Sequence, residues 1–408
     1  MNQQLSIFDK PIVKNKEQIL LDLFKAYYDA RKNKRNTINQ LQFEIDYEKQ
    51  LIELYEQIIS YNYQPKRSIC FVVNNPVKRE IFAADFSDRV VHHLIYNYIM
   101  PIFDTTFIND SYSCRIGKGT HYGIGRINKF IRSCSQNYKQ DCYVLKLDIS
   151  GYFMAMNKTI LFKQITNTLH AKKHKINFDL QLILSLIETT VFNNPTKSCI
   201  VKGNKKDWNN LPTNKSLFHS ANNCGLPIGN LTSQLFGNIY LNQFDHYVKR
   251  DLDIKYYGRY VDDFVLIHSD KEYLKSLIDP IRNYLKKELH LILHPKKIHL
   301  QHYTKGVKYL GAVIKPNRIY IANRTKGNFY DTIQKQNIIA RNHKPTKQEQ
   351  KDFIASMNSY LGIMSHYKSY KLRKEMIFNN LSGWWWNYVY LSGGIKKFEL
   401  KIKHKVIK

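Results

Sequence analysis

Negative charge is scarce in this chain. Asp and Glu total 33 against 63 Lys and Arg, leaving a formal net charge of +30 over 408 residues. That excess has to face something anionic, and nucleic acid or a membrane surface are the usual partners. No run of 18 apolar residues occurs, so no membrane span is expected. The opening Met1-Asn2-Gln3-Gln4-Leu5-Ser6 has no basic region leading into an apolar run, so no secretion signal is read. Phosphates become the favoured partner. The six cysteines (Cys70, Cys114, Cys134, Cys142, Cys199 and Cys224) form no Cys-x-x-Cys pair. That argues against zinc ribbons and reads as reduced thiols in a cytosolic compartment. Internal repeats and low-complexity tracts are missing as well.

What is there begins with 43% hydrophobic residues, enough for a folded core, in a chain long enough for two or three lobes. The most informative stretch is Arg259-Tyr260-Val261-Asp262-Asp263-Phe264-Val265-Leu266-Ile267. Aromatic and β-branched residues flank two adjacent carboxylates, which reads as a hairpin with the charges at its tip. Like charges side by side raise each other's pKa unless a cation sits there. Mg²⁺ suits such a site, being held by one or two carboxylates plus substrate phosphates. The plain alternative is an Asp-rich turn. A second stretch, Cys142 to Phe153, carries an apolar strand that ends on Asp148, followed by the small residues Ser150 and Gly151 and the aromatic Tyr152 and Phe153. Small residues there let a ligand lie against the backbone and the aromatics wall a pocket; the alternative is that Asp148 is a helix N-cap.

Residues 16–32 and 39–62 read as an N-terminal helical layer. A strand pair, Cys70–Val73 and Val77–Phe82, turns at Asn74-Asn75-Pro76 with Lys78 and Arg79 near its tip. These either grip a triphosphate or guard a solvated edge. His92-His93 lies on a helix running to about Met100. Adjacent helical residues diverge by about 100°, so the pair is read as structural. Arg115-Ile116-Gly117-Lys118-Gly119-Thr120 lacks the nucleotide P-loop spacing, but leads into a helix whose start suits a backbone phosphate or a simple cap by Thr120. Helices are read at 157–170 and 178–193, and a polar connection at 194–224. Gly229 and Ser233, four apart before Gln234, are read as sharing one helix face that admits nucleic acid or packs on a sheet. After the hairpin come a helix over 271–287, the basic His294-Pro295-Lys296-Lys297, and a strand over 308–314 with Gly311 at a close approach. Residues 318–408 read as helical and basic, with only Asp331, Glu349, Asp352, Glu375 and Glu399 as carboxylates. Lys368, Lys371, Arg373 and Lys374 suit a helix along a duplex, and Trp384–Trp386 suit base stacking or a helix-end core cluster.

Asp148 and Asp262-Asp263 each end or tip an apolar strand, and adjacent strands would bring them together. That is a ligand set for two metal ions roughly 3.5–4 Å apart acting on a phosphoryl displacement. Over about residues 65–320 the chain resembles a reverse transcriptase. Tyr260-Val261-Asp262-Asp263 is similar to the family's Y-x-D-D box, and Asp148 through Phe153 to its first carboxylate box. The resemblance implies an α+β right-hand polymerase fold, with an antiparallel palm sheet backed by helices, fingers and a helical thumb. It implies Asp148, Asp262 and Asp263 as catalytic, with Ile149 joining them around two Mg²⁺ ions for which Mn²⁺ can substitute. Lys78, Arg79, Ser150, Gly151, Tyr152, the steric gate Phe153, Ile228, Gly229 and Lys297 would bind nucleotide. Arg115, Lys118, Ser233, Gln234, Tyr260, the primer grip Tyr309-Leu310-Gly311, Lys371 and Arg373 would bind primer and template.

A narrower likeness lies in Ile228-Gly229-Asn230-Leu231-Thr232-Ser233-Gln234, where retroviral and group II intron enzymes usually carry Q-G-x-x-x-S-P. With Leu211-Pro212, Lys215–Phe218, Leu241-Asn242 and Asp245-His246, it resembles reverse transcriptases of diversity-generating retroelements. These make cDNA from a template RNA, misincorporate opposite adenine, and work with a small basic ring-forming accessory protein. Implied partners are template RNA, primer or cDNA, dNTPs and that accessory protein, without a membrane, in the cytoplasm of a bacterial, archaeal or phage-encoded system. The implied layout is an N-terminal extension (1–64), fingers (65–141), palm (142–320, with the connection 194–224), thumb (321–385) and a basic tail (386–408). The competing readings are a group II-like or phage-defence reverse transcriptase, and a non-catalytic RNA-binding scaffold. Too few carboxylates follow the palm for an RNase H domain, and no nuclease or integrase motif is evident.

Overall fold

The computed structural model describes residues 15–32, 37–74 and 77–401. The turn residues Asn75 and Pro76, the opening hexapeptide and the end of the basic tail lie outside the described residues. The chain divides into two compact units. One comprises Met1–Gly119, Lys146–Leu266 and Glu272–His299, the other Thr120–Leu145, Ile267–Lys271 and Leu300–Lys408.

In chain order the first strands are β1 (Ile69–Val73), β2 (Arg79–Ala83), β3 (Tyr143–Asp148), β4 (Ile200–Val201), β5 (Tyr256–Tyr260), β6 (Asp263–His268) and β7 (His299–His302). β1 and β2 pair antiparallel, with Val73 opposite Arg79, and β4 adds to β1 in parallel. β5, β6, β3 and β7 form a four-stranded sheet in that order. β6 reads as a continuous apolar run because Phe264, Val265, Leu266 and Ile267 are all buried. The helix Phe86–Asp104 begins where the Asp85 carboxylate accepts from the Ser87 amide, and it buries His92 among Val91, Leu94 and Ile95. The helix Lys16–Arg31 packs against it. Burial depresses the pKa of His92 to about 3, so this histidine is a neutral core residue.

Two expected helices are divided. The stretch 39–62 forms Ile38–Ile45 and Tyr47–Ile59, because Asp46 leaves the helical region at φ −135°. The stretch 271–287 forms Lys271–Ser276 and Ile278–Leu289. Pro280 has no amide to close onto the preceding turn. Gly229 and Ser233 do not share a helix face: Gly229 precedes the helix Leu231–Tyr240 and has φ +127°.

In the second unit, the expected strand 308–314 is a hairpin of β8 (Val307–Tyr309) and β9 (Ala312–Lys315), joined by β10 (Arg318–Ile321). Leu310 and Gly311 turn it with φ of +46° and +83°, so Gly311 serves the turn rather than a close approach. The C-terminal stretch is not wholly helical. The helices Asn323–Asn342, Lys347–Ser365 and Tyr370–Asn380 are followed by an antiparallel pair, β11 (Val389–Ser392) and β12 (Lys397–Leu400). Gly393 and Gly394, both at positive φ, make its turn. Trp385 is fully buried and stacks on Phe353, centroids 4.1 Å apart, while Trp384 is exposed.

Candidate active site

β3 ends on Asp148, and the β5–β6 hairpin carries Asp262 at its turn and Asp263 at the start of β6. The two elements are joined where the Ile149 amide donates to the Asp262 carbonyl at 3.3 Å. The turn is held from beneath. Val261 sits at φ +56°, a conformation that a β-branched residue rarely adopts. Its carbonyl accepts from the Arg259 guanidinium at 2.9 Å. Arg259 has no exposure and grips the equally buried Asp245 with both branches, Nε to Oδ1 and Nη2 to Oδ2, each at 2.7 Å. Tyr257 donates to the same carboxylate at 2.7 Å. A Cβ at Gly258 would lie 2.2 Å from the Tyr112 hydroxyl, so only glycine fits there.

Three carboxylates in a small space repel. Burial, then the Asp148 charge, pushes the Asp262 carboxyl up to about 6. Asp263 is also raised, by burial first and against the pull of Lys146. Two lysines supply positive charge. Lys297 Nζ donates to both Asp148 oxygens at 2.9 Å, and Lys146 Nζ lies 3.0 Å from Asp263 Oδ2. The other Asp263 oxygen, Oδ1, is buried and has no hydrogen-bond partner among the described residues. An orphaned anionic oxygen facing like charges is a ligand position for a hard cation, and an all-oxygen donor set suits a divalent ion of the Mg²⁺ type. Among the described residues no three carboxylate, imidazole or thiol groups stand together in ligating geometry, and lysines engage Asp148 and Asp263. The donor types present fit a hard divalent ion, with Lys146 and Lys297 as its competitors for the carboxylate oxygens.

Around this centre the other expected residues fall into two groups. Arg79 is exposed at the start of β2, and Lys78 donates to the Asn209 carbonyl at 2.7 Å. Phe153 and Ile228 are half-buried and pack on one cluster with Cys70, Phe82, Met154 and Leu217. Ser150 accepts from Asn214 at 3.1 Å. Gly151, at φ +57°, meets not an open ligand space but the Asn214 carbonyl, 2.6 Å from where a Cβ would be. Gly229 similarly gives way to the Phe82 carbonyl, 2.9 Å from its Cβ position. Tyr260 is half-buried, Gln234 exposed and Ser233 buried.

Several expectations are corrected by burial. Tyr152 does not wall a pocket: it is buried and donates to the Gly237 carbonyl at 2.5 Å. Arg115 does not reach a phosphate, being bonded to Asp104 at 2.6 Å and to the Ile108 and Ser111 carbonyls. Lys118 is engaged by Asn109. In the second unit Arg373 is buried and donates to the Ile395 carbonyl at 2.6 Å, so it does not line a duplex, whereas Lys368, Lys371 and Lys374 are exposed. Tyr309 is buried in that unit, and Leu310 and Gly311 form its turn.

The sequence reading missed Lys146, Arg259 and Glu80. Lys146 was recoverable: it lies two residues before Asp148 on a strand and so shares its face. The pairing of Arg259 with Asp245 has no sequence-local signal.

The family description "Reverse transcriptase (RNA-dependent DNA polymerase)" matches residues 65–314. Protein YkfC of Escherichia coli K12 is 24% identical over 292 residues, covering 63% of this chain and 69% of that protein. Among solved structures, apo telomerase from Candida tropicalis truncated from its C-terminal domain has a TM-score of 0.45 at 13% identity, over 64% of this chain and 56% of that one. Another apo telomerase from Candida tropicalis has a TM-score of 0.45 at 11% identity, over 90% and 78%. This chain thus spans little more than half of the first telomerase chain. The family match takes in more than half of the chain, with Asp148, Asp262 and Asp263 inside it, and the chain belongs to the reverse transcriptase family, RNA-directed DNA polymerases of right-hand fold that act on template RNA, primer and dNTPs with a divalent metal.

Proposed function

We propose that Asp148, Asp262 and Asp263 hold two Mg²⁺ ions, with Mn²⁺ as a substitute, and that the chain extends a primer along RNA by in-line nucleotidyl transfer. The bound ions would supply charge neutralisation for the triphosphate and a lowered pKa for the primer 3′-hydroxyl. The chain's own part is to place the carboxylates. Arg259 fixes the turn that presents Asp262, and Lys146 balances Asp263 until metal and nucleotide arrive. Lys297, exposed beside Asp148, is free to follow the phosphates and to give a proton to the departing pyrophosphate. Arg79 and Lys78 reach the triphosphate, Phe153 screens the sugar, and the exposed lysines of residues 368–374 meet the nucleic-acid backbone. The layout follows as fingers, palm and thumb, with the β11–β12 hairpin packed into the core of the C-terminal helices rather than forming a tail from residue 386.

We further infer that this is the error-prone enzyme of a diversity-generating retroelement, working with a small basic accessory protein that meets it across the shared anionic RNA. Ile228 carries this reading. Where most relatives of the superfamily have a glutamine able to hydrogen-bond the incoming nucleotide, this chain has an apolar side chain packed beside Phe153. One missing hydrogen bond costs about 0.5–1.5 kcal/mol of discrimination. Ile228→Gln should lower misincorporation opposite template adenine severalfold in a primer-extension and sequencing assay; an unchanged error spectrum would refute the role given to Ile228.

A further inference from the structure

Alternation along β2 turns Arg79 outward and Glu80 inward, where its carboxylate has no exposure. A buried carboxylate is costly unless donors surround it. Among the described residues the three donors bonded to Glu80 come from one polar connection. Trp208 Nε1 lies 2.7 Å from Oε2, Ser216 Oγ 2.8 Å from Oε2, and the Leu217 amide 2.6 Å from Oε1. Hydrogen bonds to an ionised group are roughly twice as strong as neutral ones, so this segment is a fixed wall rather than a loose loop.

That wall leads straight to the nucleotide positions. Trp208 packs with Phe153 and Ile228 on the cluster that contains Leu217. Asn214 sits over Gly151 and donates to Ser150, while Asn209 accepts from Lys78. The connection leaves through Leu226, whose amide donates to the Phe153 carbonyl at 2.9 Å. We propose that Glu80 and Trp208 are positioning residues for the incoming nucleotide, holding residues 204–217 behind the sugar-screening Phe153 and the apolar Ile228, and so setting how strictly sugar and base geometry are checked. This rests on the reading that Phe153 and Ile228 face the nucleotide.

The test is a primer-extension assay on an RNA template with Mg²⁺, measuring kcat/KM for a dNTP and for the matching rNTP. Their ratio does not depend on how much of a variant is folded. Trp208→Phe keeps most of the ring and removes the donor; Glu80→Gln keeps the shape and removes the charge. Each should lower the dNTP/rNTP ratio about tenfold and raise the dNTP KM more than it lowers kcat. Asn214→Ala, at an exposed position, should raise the dNTP KM severalfold and serves if the buried variants do not fold. Ratios and KM values equal to those of the unsubstituted enzyme would overturn the positioning role alone. No extension by the unsubstituted protein would overturn it together with the catalytic reading beneath it.

Discussion

Replacing Arg259 by Met tests how the Asp262 turn is held. The fully buried guanidinium makes two 2.7 Å contacts to the equally buried Asp245 and one of 2.9 Å to the carbonyl of half-buried Val261. Its removal leaves the Asp245 carboxylate buried with Tyr257 as a remaining donor. Breaking a buried pair in this way costs about 3–5 kcal/mol, because an uncompensated charge stays inside. Removing both charges, as Arg259→Met with Asp245→Leu, should recover about half of that loss. Activity should not recover with it. Val261 would still be at positive φ with its carbonyl unclamped, and Asp262 would be free to drift. Equilibrium urea unfolding by circular dichroism reads the stability terms, and primer extension at matched folded fraction reads the chemistry. A single variant losing less than about 1 kcal/mol, or a double variant that regains stability and activity together, would refute this account of the turn.

Three further outcomes follow from the same geometry. The Asp262 carboxyl is raised to about 6, so its protonated form is favoured in the folded state. Its stabilising contribution is full below the ordinary carboxylate range and is lost as pH rises through about 6. Asp262→Asn should therefore raise the melting temperature of metal-free protein at pH 7.5, not at pH 4, while abolishing extension; an equal effect at both pH values would contradict the assigned shift. Gly151→Ala would drive a Cβ to 2.6 Å from the Asn214 carbonyl at positive φ, and should cost about 1–3 kcal/mol and raise the dNTP KM; an unchanged melting curve would show that the connection yields freely. RNA binding by a chain of net charge +30 should weaken steeply with salt, by about 10³–10⁵ between 50 and 200 mM if roughly 6–10 phosphates are neutralised, and a flat response in a filter-binding titration would exclude backbone recognition.

The parts of the fold legible in the sequence were those with local signals. The Asp262-Asp263 hairpin announced itself through the aromatic and β-branched residues on both sides, and Asp148 through the apolar strand before it. The helices at 157–170 and 178–193 were found within a residue or two at each end, as Lys158–Ala171 and Leu180–Phe192. Failures came where burial was invisible. Arg115 and Arg373 read as phosphate ligands because charge alone was counted, yet both are absorbed by nearby carbonyls and, for Arg115, by Asp104. Gly151 and Gly229 read as room for a ligand, but the chain itself fills that room with the backbones of Asn214 and Phe82. Glu80 carried no signal in the sequence, and only the three-dimensional course of residues 204–217 shows that it ties down that connection. The β11–β12 hairpin was lost because residues 318–408 were read as helical throughout with a basic tail, although Gly393-Gly394 marked its turn.

The most direct test of the three-carboxylate centre is divalent-metal-dependent extension of a primed RNA template by the full chain, run beside Asp148→Asn and Asp262→Asn. The account predicts dNTP incorporation by the unsubstituted protein that chelation stops, and rates at least about 10³-fold lower in each variant while both remain folded. Extension by either variant at a rate near that of the unsubstituted protein would contradict it.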